Sequence, residues 1–153
     1  MSATGLALFD TTIQKTNAWL KDLLEIGGWG DRRTAYRALR ATLHAVRDRL
    51  TVDEVAQLAA QLPMLIRGLY YEGWDPSIRP LKERHLEEFL ERIERELRGD
   101  EKLDPEQVAR VVFEVMQRRV SEGEMEDVKL MRPSGIRALW PTQEHASAAS
   151  TGP

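Results

Sequence analysis

The sequence predicts an all-α fold in which two tandem four-helix repeats pack as a pseudo-twofold helical bundle. Apolar residues recur at helical spacing almost everywhere along the chain, and the alternation typical of strands is absent. At an offset of 70 residues the chain resembles itself without a gap, with residues 10–70 aligned on residues 80–140. A third sign is a helix-start motif, Thr51 with Glu54, which the same offset places on Ser121 with Glu124.

The repeat is clearest between residues 51–70 and residues 121–140. The positions identical in the two copies are Glu54 and Glu124, Pro63 and Pro133, Ile66 and Ile136, Arg67 and Arg137, and Leu69 and Leu139. One copy of about 60 residues would be marginally stable alone. We therefore expect the copies to pack on each other or to be exchanged between subunits. The residues expected to face the two cores at equivalent positions are Val55 and Met125, and Leu58 and Val128.

The first two helices follow from apolar spacing and from the residues between them. The first helix carries an apolar stripe made of Phe9, Ile13, Leu20, Leu23 and Leu24. It should end within residues 27–30, where three glycines disfavour a helix. Asp31 is suited to cap the second helix, because its carboxylate can accept a hydrogen bond from a free amide of the first turn. The predicted buried stripe of this second helix is Tyr36, Leu39, Leu43, Val46 and Leu50.

Two shorter helices complete the first repeat. Thr51 and Glu54 predict a capping box, in which the hydroxyl accepts from the Glu54 amide and the carboxylate accepts from the Thr51 amide. The third helix then carries Val55, Leu58 and Leu62. Pro63 opens the fourth helix, since the first turn of a helix has amides without a partner in the helix. The apolar residues of this fourth helix are Leu65, Ile66, Leu69 and Tyr70.

The second repeat, residues 83–140, follows a loop over residues 71–82 that contains two prolines and a glycine. Its first helix should break near Gly99, and its second should start with Asp104 as N-cap and Pro105 as first helical residue. The apolar residues expected to line these two helices are Leu86, Phe89, Leu90, Ile93, Val108, Val111, Val112, Val115 and Met116, and Ile136, Leu139 and Trp140 close the repeat. We expect residues 1–8 to be flexible and residues 141–153, rich in Ala, Ser and Thr, to be disordered.

Composition narrows the functional classes. With no cysteine among 153 residues, a disulfide framework and thiol catalysis are excluded, which suits a reducing cytosol. The N-terminus lacks the features of a signal peptide, and no apolar run approaches the roughly 20 residues that span a bilayer. We therefore expect a cytoplasmic protein without a membrane partner. Residues 1–70 carry 9 basic and 7 acidic residues and residues 71–153 carry 13 and 18, so opposite charges favour docking of the two halves.

Several sequence blocks resemble a known family. The clearest are LPMLIRGLYYEGW from Leu62 to Trp74, YRALR from Tyr36 to Arg40, and IRALW from Ile136 to Trp140. With DRL at 48–50 and SEGEMEDV at 121–128, they resemble the bacterial family known as domain of unknown function 2267, over residues 10–141. The resemblance implies a small all-α bacterial protein with no established activity and no catalytic residues to transfer. One departure is Arg132 before Pro133, where the family usually carries a leucine.

No residue pattern predicts a catalytic, cofactor or metal site. Among the three histidines, His44 lies four residues before Asp48 and His85 lies three before Glu88, while His145 falls in the tail. A di-metal bundle needs a Glu-x-x-His motif from each of two helices and further carboxylates, and that pattern is missing. No glycine-rich phosphate loop or nucleophile motif occurs either. We expect no enzyme; an enzyme or ligand sensor that uses the groove between the lobes is the third hypothesis.

Basic residues line one side of the second helix. Arg33, Arg37, Arg40 and Arg47 fall at steps of four, three and seven, opposite the apolar stripe. Four guanidinium groups in line could bind phosphates, so weak nucleic-acid or anion binding is the alternative function. No aromatic residues are interleaved, the net charge is −3, and of the four only Arg40 has a basic counterpart in the second copy, Arg110. A solvated face, or docking onto carboxylates of the acidic half, is the preferred interpretation.

Two further groups are candidates for partner or anion contacts. Arg67 and Arg137 occupy one frame of both copies, where a structural role near a helix C-terminus, or a bond to Glu54 and Glu124, competes with a paired anion site. The aromatic residues Tyr70, Tyr71 and Trp74 lie at the junction of the copies and either seal one lobe against the other or face a partner. The leading hypothesis is a non-enzymatic interaction module that binds a protein partner or itself.

Overall fold

The computed structural model describes residues 2–78, 80, 85–98, 100, 102–120 and 138–141. These residues form no strand and six helices, which are α1 (Ala7–Gly27), α2 (Arg32–Arg47), α3 (Val52–Ala60), α4 (Met64–Tyr71), α5 (Leu86–Glu96) and α6 (Pro105–Arg119). The predicted all-α class is therefore confirmed. Several predictions fall outside the described residues, namely those on Ser121, Glu124, Met125, Val128, Arg132, Ile136, Arg137, His145 and residues 142–153.

Helix α1 ends where the glycines predict an end. Gly28 adopts the left-handed conformation, with φ of 67°, and its amide donates to the carbonyl oxygen of Leu24. That conformation is strained for residues with a side chain, so the glycine stops the helix at low cost. The buried residues of α1 are Leu23, which belongs to the predicted stripe, and Trp19, which the prediction omitted. Phe9 of the predicted stripe is 47% exposed, because the first turns of α1 lie at an edge of the bundle.

Helix α2 is the central helix of the fold. It contacts α1, α4, α5 and α6, and its residues from Ala41 to Arg47 are all buried. Asp31 caps it as predicted, accepting from the Thr34 amide at 2.8 Å. The prediction for Tyr36 was wrong, since this side chain is 41% exposed. The small residues Ala35 and Ala38 are fully buried on the inner side of α2, and the larger phenol ring of Tyr36 lies on the outer side.

Helices α3 and α4 form a compact corner. The capping box is present, with the Thr51 amide donating to Glu54 at 2.7 Å and the Glu54 amide donating to the Thr51 hydroxyl at 3.3 Å. Helix α4 begins at Met64, one residue later than predicted, and Pro63 occupies the N-cap position before it. The residues of this corner that enter the core are Val55, Leu58, Leu62, Ile66 and Tyr70.

Helices α5 and α6 supply the second half of the core. Asp104 caps α6 by accepting from the Gln107 amide, and Pro105 is the first helical residue, as predicted. Phe89 and Ile93 of α5 are fully buried. The ring of Phe113 in α6 stacks on Trp140, with centroids 4.1 Å apart and planes within 4° of parallel. Across the bundle, α1 packs on α6 and α2 packs on α5, while α2 and α6 contact each other.

Candidate interaction surface

Two arginines of α2, Arg37 and Arg40, point toward the second half of the chain. Nη1 of Arg37 lies 3.2 Å from a carboxylate oxygen of Asp100, and Nη2 donates to the carbonyl of Leu97 at the end of α5. Arg40 donates to the carboxylate of Glu96. Docking of these arginines onto carboxylates of the acidic half is therefore confirmed for Arg37 and Arg40.

His44 joins the same network one turn further along α2. Its Nδ1 lies 2.7 Å from the Glu96 carboxylate that also accepts from Arg40, and its Nε2 lies 2.7 Å from the carbonyl oxygen of Leu69. The imidazole ring thus links α5 to the C-terminal part of α4. Its role in this structure is to hold two helices against α2.

Arg47 is buried, with a side chain that is 6% exposed. Its Nη1 donates to the carbonyl oxygens of Tyr70 and Glu72, each at 2.9 Å, and its Nε donates to Asp48 at 2.8 Å. The prediction that it lies on the outer side of α2, opposite the apolar stripe, was wrong. The reason is that the last carbonyls of α4 have no donor within their own helix, and this guanidinium supplies one.

Arg33 is the exposed member of the predicted basic stripe. It makes no side-chain hydrogen bond within the described residues. It lies with Tyr36 and Arg98 at the mouth of a cleft of about 430 Å³ whose other walls include Arg37 and Arg40. The stripe is therefore divided, since one arginine faces solvent and the other three hold helices together.

Arg67 binds backbone carbonyls at the end of α3. Its Nε donates to Ala59 at 2.8 Å and its Nη2 donates to Leu62 at 3.0 Å. This is the helix-end arrangement that the structural interpretation predicted, rather than a bond to Glu54. The equivalent residue Arg137 lies outside the described residues.

The aromatic residues after α4 pack inward. Tyr70 has no exposed surface, and its hydroxyl donates to the carbonyl oxygen of Val55 at 3.0 Å. Burial raises the pKa of the Tyr70 phenol. The rings of Tyr71 and Trp74 are half-buried and continue the cluster, with centroids 5.5 Å apart. The aromatic cluster thus packs within the fold, and the buried Tyr70 side chain does not reach a surface that a partner could contact.

No metal-binding cluster is found in the part of the chain that the structure describes. There, no three His, Cys, Asp or Glu side chains come together in a way that could hold an ion. His44 turns to Glu96 rather than to Asp48, and His85 stands immediately before α5 on an exposed position.

An exposed apolar cluster at one end of the bundle was not predicted. Its members, called here the apolar end, are Leu6, Leu8, Phe9, Met64 and Leu65, which are between 42% and 58% exposed. Leu8 and Phe9 lie four and three residues before Thr12, whose hydroxyl accepts from the Leu65 amide at 2.9 Å, so α1 and α4 bring them together. The sequence carried a signal in Leu8 and Phe9, because neighbouring residues of a helix point about 100° apart and cannot both face the middle of one core.

Beside the apolar end runs a groove of about 640 Å³, called here the α1–α4 groove. Its apolar lining includes Leu8, Trp19, Leu62 and Met64. Among the described residues that line it, three are cations, namely Lys15, Arg67 and Arg119, and none is an aspartate or a glutamate. The apolar end and this groove form the candidate interaction surface.

A comparison with known families matches residues 16–139 to the family described as uncharacterized conserved protein, DUF2267. The chain belongs to this family. A comparison with curated proteins gives no significant match. The family match confirms the predicted resemblance, and it begins at residue 16, so the part of the DUF2267 segment that reaches the groove includes Trp19, Leu62 and Arg67. Leu8 and Lys15 of the groove precede the matched segment.

Among the described helices of this DUF2267 protein, not one combines the length and the apolar character needed to cross a bilayer.

Proposed function

We propose that this DUF2267 protein is a non-enzymatic helical interaction module that binds a protein partner or a second copy of itself. The observation that supports the proposal is the apolar end. Single exposed apolar side chains are common on proteins, but several together mark sites of interaction. A cytosolic location, predicted from the cysteine-free composition, belongs to the same proposal.

The non-enzymatic part of the proposal is supported by the way polar groups are used. The buried and partly buried polar side chains of α2, Arg37, Arg40, His44 and Arg47, contact carboxylates and helix-end carbonyls of the same chain. Such contacts hold helices together and leave these groups committed to structure. No described cluster resembles a nucleophile with its base or a metal-ligand set.

The experiment for the proposal uses charge in the apolar end. A double variant, Leu8→Glu with Leu65→Glu, should lose self-association in analytical ultracentrifugation, or lose the partner retained by the wild-type chain in a crosslinked pull-down. The matched control is Val52→Glu, since Val52 is 50% exposed at the start of α3 and does not line the α1–α4 groove. Equal association of wild type and double variant, with helical content unchanged by circular dichroism, would refute the proposal.

Nucleic-acid binding remains the alternative, and the geometry does not favour it. Arg37, Arg40 and Arg47 are engaged within the chain, which leaves Arg33 as the exposed member of the stripe. Binding of a generic duplex that weakens steeply with salt and is lost in Arg33→Glu would restore this function. An enzyme or ligand sensor that uses the groove between the lobes is the third hypothesis, tested by thermal shift with a metabolite library.

We also infer that the all-α bundle consists of two tandem four-helix repeats related by a pseudo-twofold axis. Helix packing supports this inference. The 70-residue offset relates α1 to α5 and α2 to α6, so the contact between α1 and α6 corresponds to the contact between α5 and α2. Pairs of residues related by this offset and both buried include Trp19 and Phe89, Leu23 and Ile93, Ala38 and Val108, Leu39 and Ala109, Leu43 and Phe113, Val46 and Met116, Leu50 and Val120, and Tyr70 and Trp140. An experimental structure in which residues 10–70 fail to superpose on residues 80–140 would overturn the inference.

A further inference from the structure

We propose that the α1–α4 groove binds an acidic amphipathic helix of a partner protein, with apolar side chains on the groove floor and carboxylates at Lys15 and Arg67. The inference rests on the proposed function, because it names the partner of the same surface. A groove between helices that offers apolar walls is the usual receptor for one face of an amphipathic helix.

The apolar part of the groove has a buried floor and exposed walls. Trp19 and Leu62 are each 2% exposed and form the floor. Leu8 and Met64, which are 58% and 42% exposed, line the walls and belong to the apolar end. Apolar side chains of a bound helix would therefore cover apolar surface of Leu8 and Met64 that is exposed to solvent in the free chain. Removing that surface from water favours binding.

The charge of the groove selects the partner. Of its three cations, Arg119 is offset by Asp22, whose carboxylate oxygen lies 2.8 Å from Nη2. Arg67 donates to carbonyl oxygens, which satisfy two of its donors without offsetting its charge. Lys15 is exposed and forms no ion pair within the described residues. The described part of the lining thus keeps two positive charges, at Lys15 and Arg67, and glutamate or aspartate on the partner would complement them.

A second copy of the chain does not supply such a helix from its described residues. The other large apolar side chains that are exposed there are Tyr36, Val52 and Ile78, which lie singly on α2, on α3 and after α4. The acidic helix α5 already buries its apolar residues Phe89 and Ile93 in the core. We assign the occupant to a different protein, because the charge of the groove favours an acidic helix and no described helix of this chain leaves an acidic apolar face free.

The test uses a library of helical peptides displayed on phage and selected on the full chain. Apolar residues are fixed at positions i, i+3, i+4 and i+7, and the flanking positions vary among Glu, Gln and Lys. Selected peptides should be enriched in Glu, and their binding, measured by fluorescence anisotropy, should weaken as salt increases. Enrichment in Lys, no enrichment, or no selected binders would overturn the inference.

Two variants of α1 locate the binding site. Lys15→Glu should lower the affinity of the chain for the selected acidic peptide about tenfold. The same variant should raise its affinity for a matched peptide with Lys at the same positions. Lys21→Glu makes the same charge change at an exposed position of α1 outside the groove, and binding should change little. Equal effects of the two variants would show a response to net charge alone and would overturn the inference.

The outcome separates this inference from the proposed function. If the Leu8→Glu and Leu65→Glu double variant loses association but acidic peptides do not bind, the proposed interaction module is supported and the proposed acidic helical partner is refuted. If the double variant associates like the wild type, the proposed function itself fails. Association of two copies that depends on Lys15 but not on Lys21 would replace the partner helix with a second copy of the chain.

Discussion

The guanidinium of Arg47 in α2 donates to the carbonyl oxygen of Tyr70 in α4 at 2.9 Å, across 23 residues of sequence. The same Nη1 nitrogen reaches the carbonyl of Glu72, so one side chain satisfies two carbonyls at the end of α4. A single buried cation therefore fixes the position of α4 and the direction in which the chain leaves it.

Removing this cation should destabilise the fold. Arg47→Ala should lower the free energy of unfolding by about 3 kcal/mol, because hydrogen bonds from a charged donor are lost and carbonyls stay buried. Arg47→Lys should recover part of the loss, since an ammonium group cannot reproduce the guanidinium fork. Urea denaturation monitored by circular dichroism measures both. Arg33→Ala on the same helix is the control, expected to change stability by less than about 0.5 kcal/mol.

Arg67 should also act through structure. Arg67→Ala should lower the melting temperature, because the carbonyls of Ala59 and Leu62 would lose their donor. Arg67→Lys should restore only part of the melting temperature. If both variants melt like the wild type while an anionic partner binds more weakly, Arg67 is a binding residue instead. Differential scanning calorimetry and a binding isotherm on the same samples distinguish the two roles.

The capping box at the start of α3 gives a smaller, local effect. Thr51→Ala should cost about 0.5–2 kcal/mol, because the Glu54 amide would lose its acceptor. Thr51→Ser keeps a hydroxyl in the same place and should leave stability close to that of the wild type. Chemical denaturation of the three proteins measures the difference. Equal loss in both variants would mean that the methyl group, not the hydroxyl, matters at this position.

Acid should weaken the cap at the start of α2. The hydrogen bond from the Thr34 amide lowers the pKa of Asp31 below its ordinary value of 3.8. The carboxylate therefore adds stability above pH 3.8, and this contribution is lost as the pH falls through 3.8 and then through the lower pKa of the folded state.

The control for this pH effect is Asp31→Asn, which keeps a capping oxygen and does not titrate. Between about pH 5 and about pH 3 its melting temperature should fall less than that of the wild type. Asp10 and Asp75, whose pKa values are also lowered by hydrogen bonds, titrate in both proteins and do not affect the comparison. Identical pH profiles would show that Asp31 does not contribute.

The helices and their caps could be predicted because the interactions that set them span only a few residues. Asp31 with Thr34, Thr51 with Glu54, and the glycine stop after α1 all act within one turn. The apolar spacing of α5 and α6 likewise identified Phe89, Ile93 and Val112 as core residues. Nothing comparable in the sequence pointed to the α1–α4 groove, because its walls come from helices that are distant along the chain.

Burial of individual side chains depended on which helices meet. Tyr36 and Arg47 were assigned to the wrong sides of α2, because that helix contacts four others and buries more of its circumference than one apolar stripe predicts. The end of α4 lies against α2, where its carbonyl oxygens accept hydrogen bonds from the buried Arg47. Alanines occupy the buried side of α2 near Tyr36, whose ring is exposed. Periodicity within the chain therefore accounts for the class of fold and its helix ends, whereas contacts between distant helices determine which charges are buried and where apolar surface stays exposed. Helix periodicity is a property of neighbours in sequence, and burial is a property of neighbours in space.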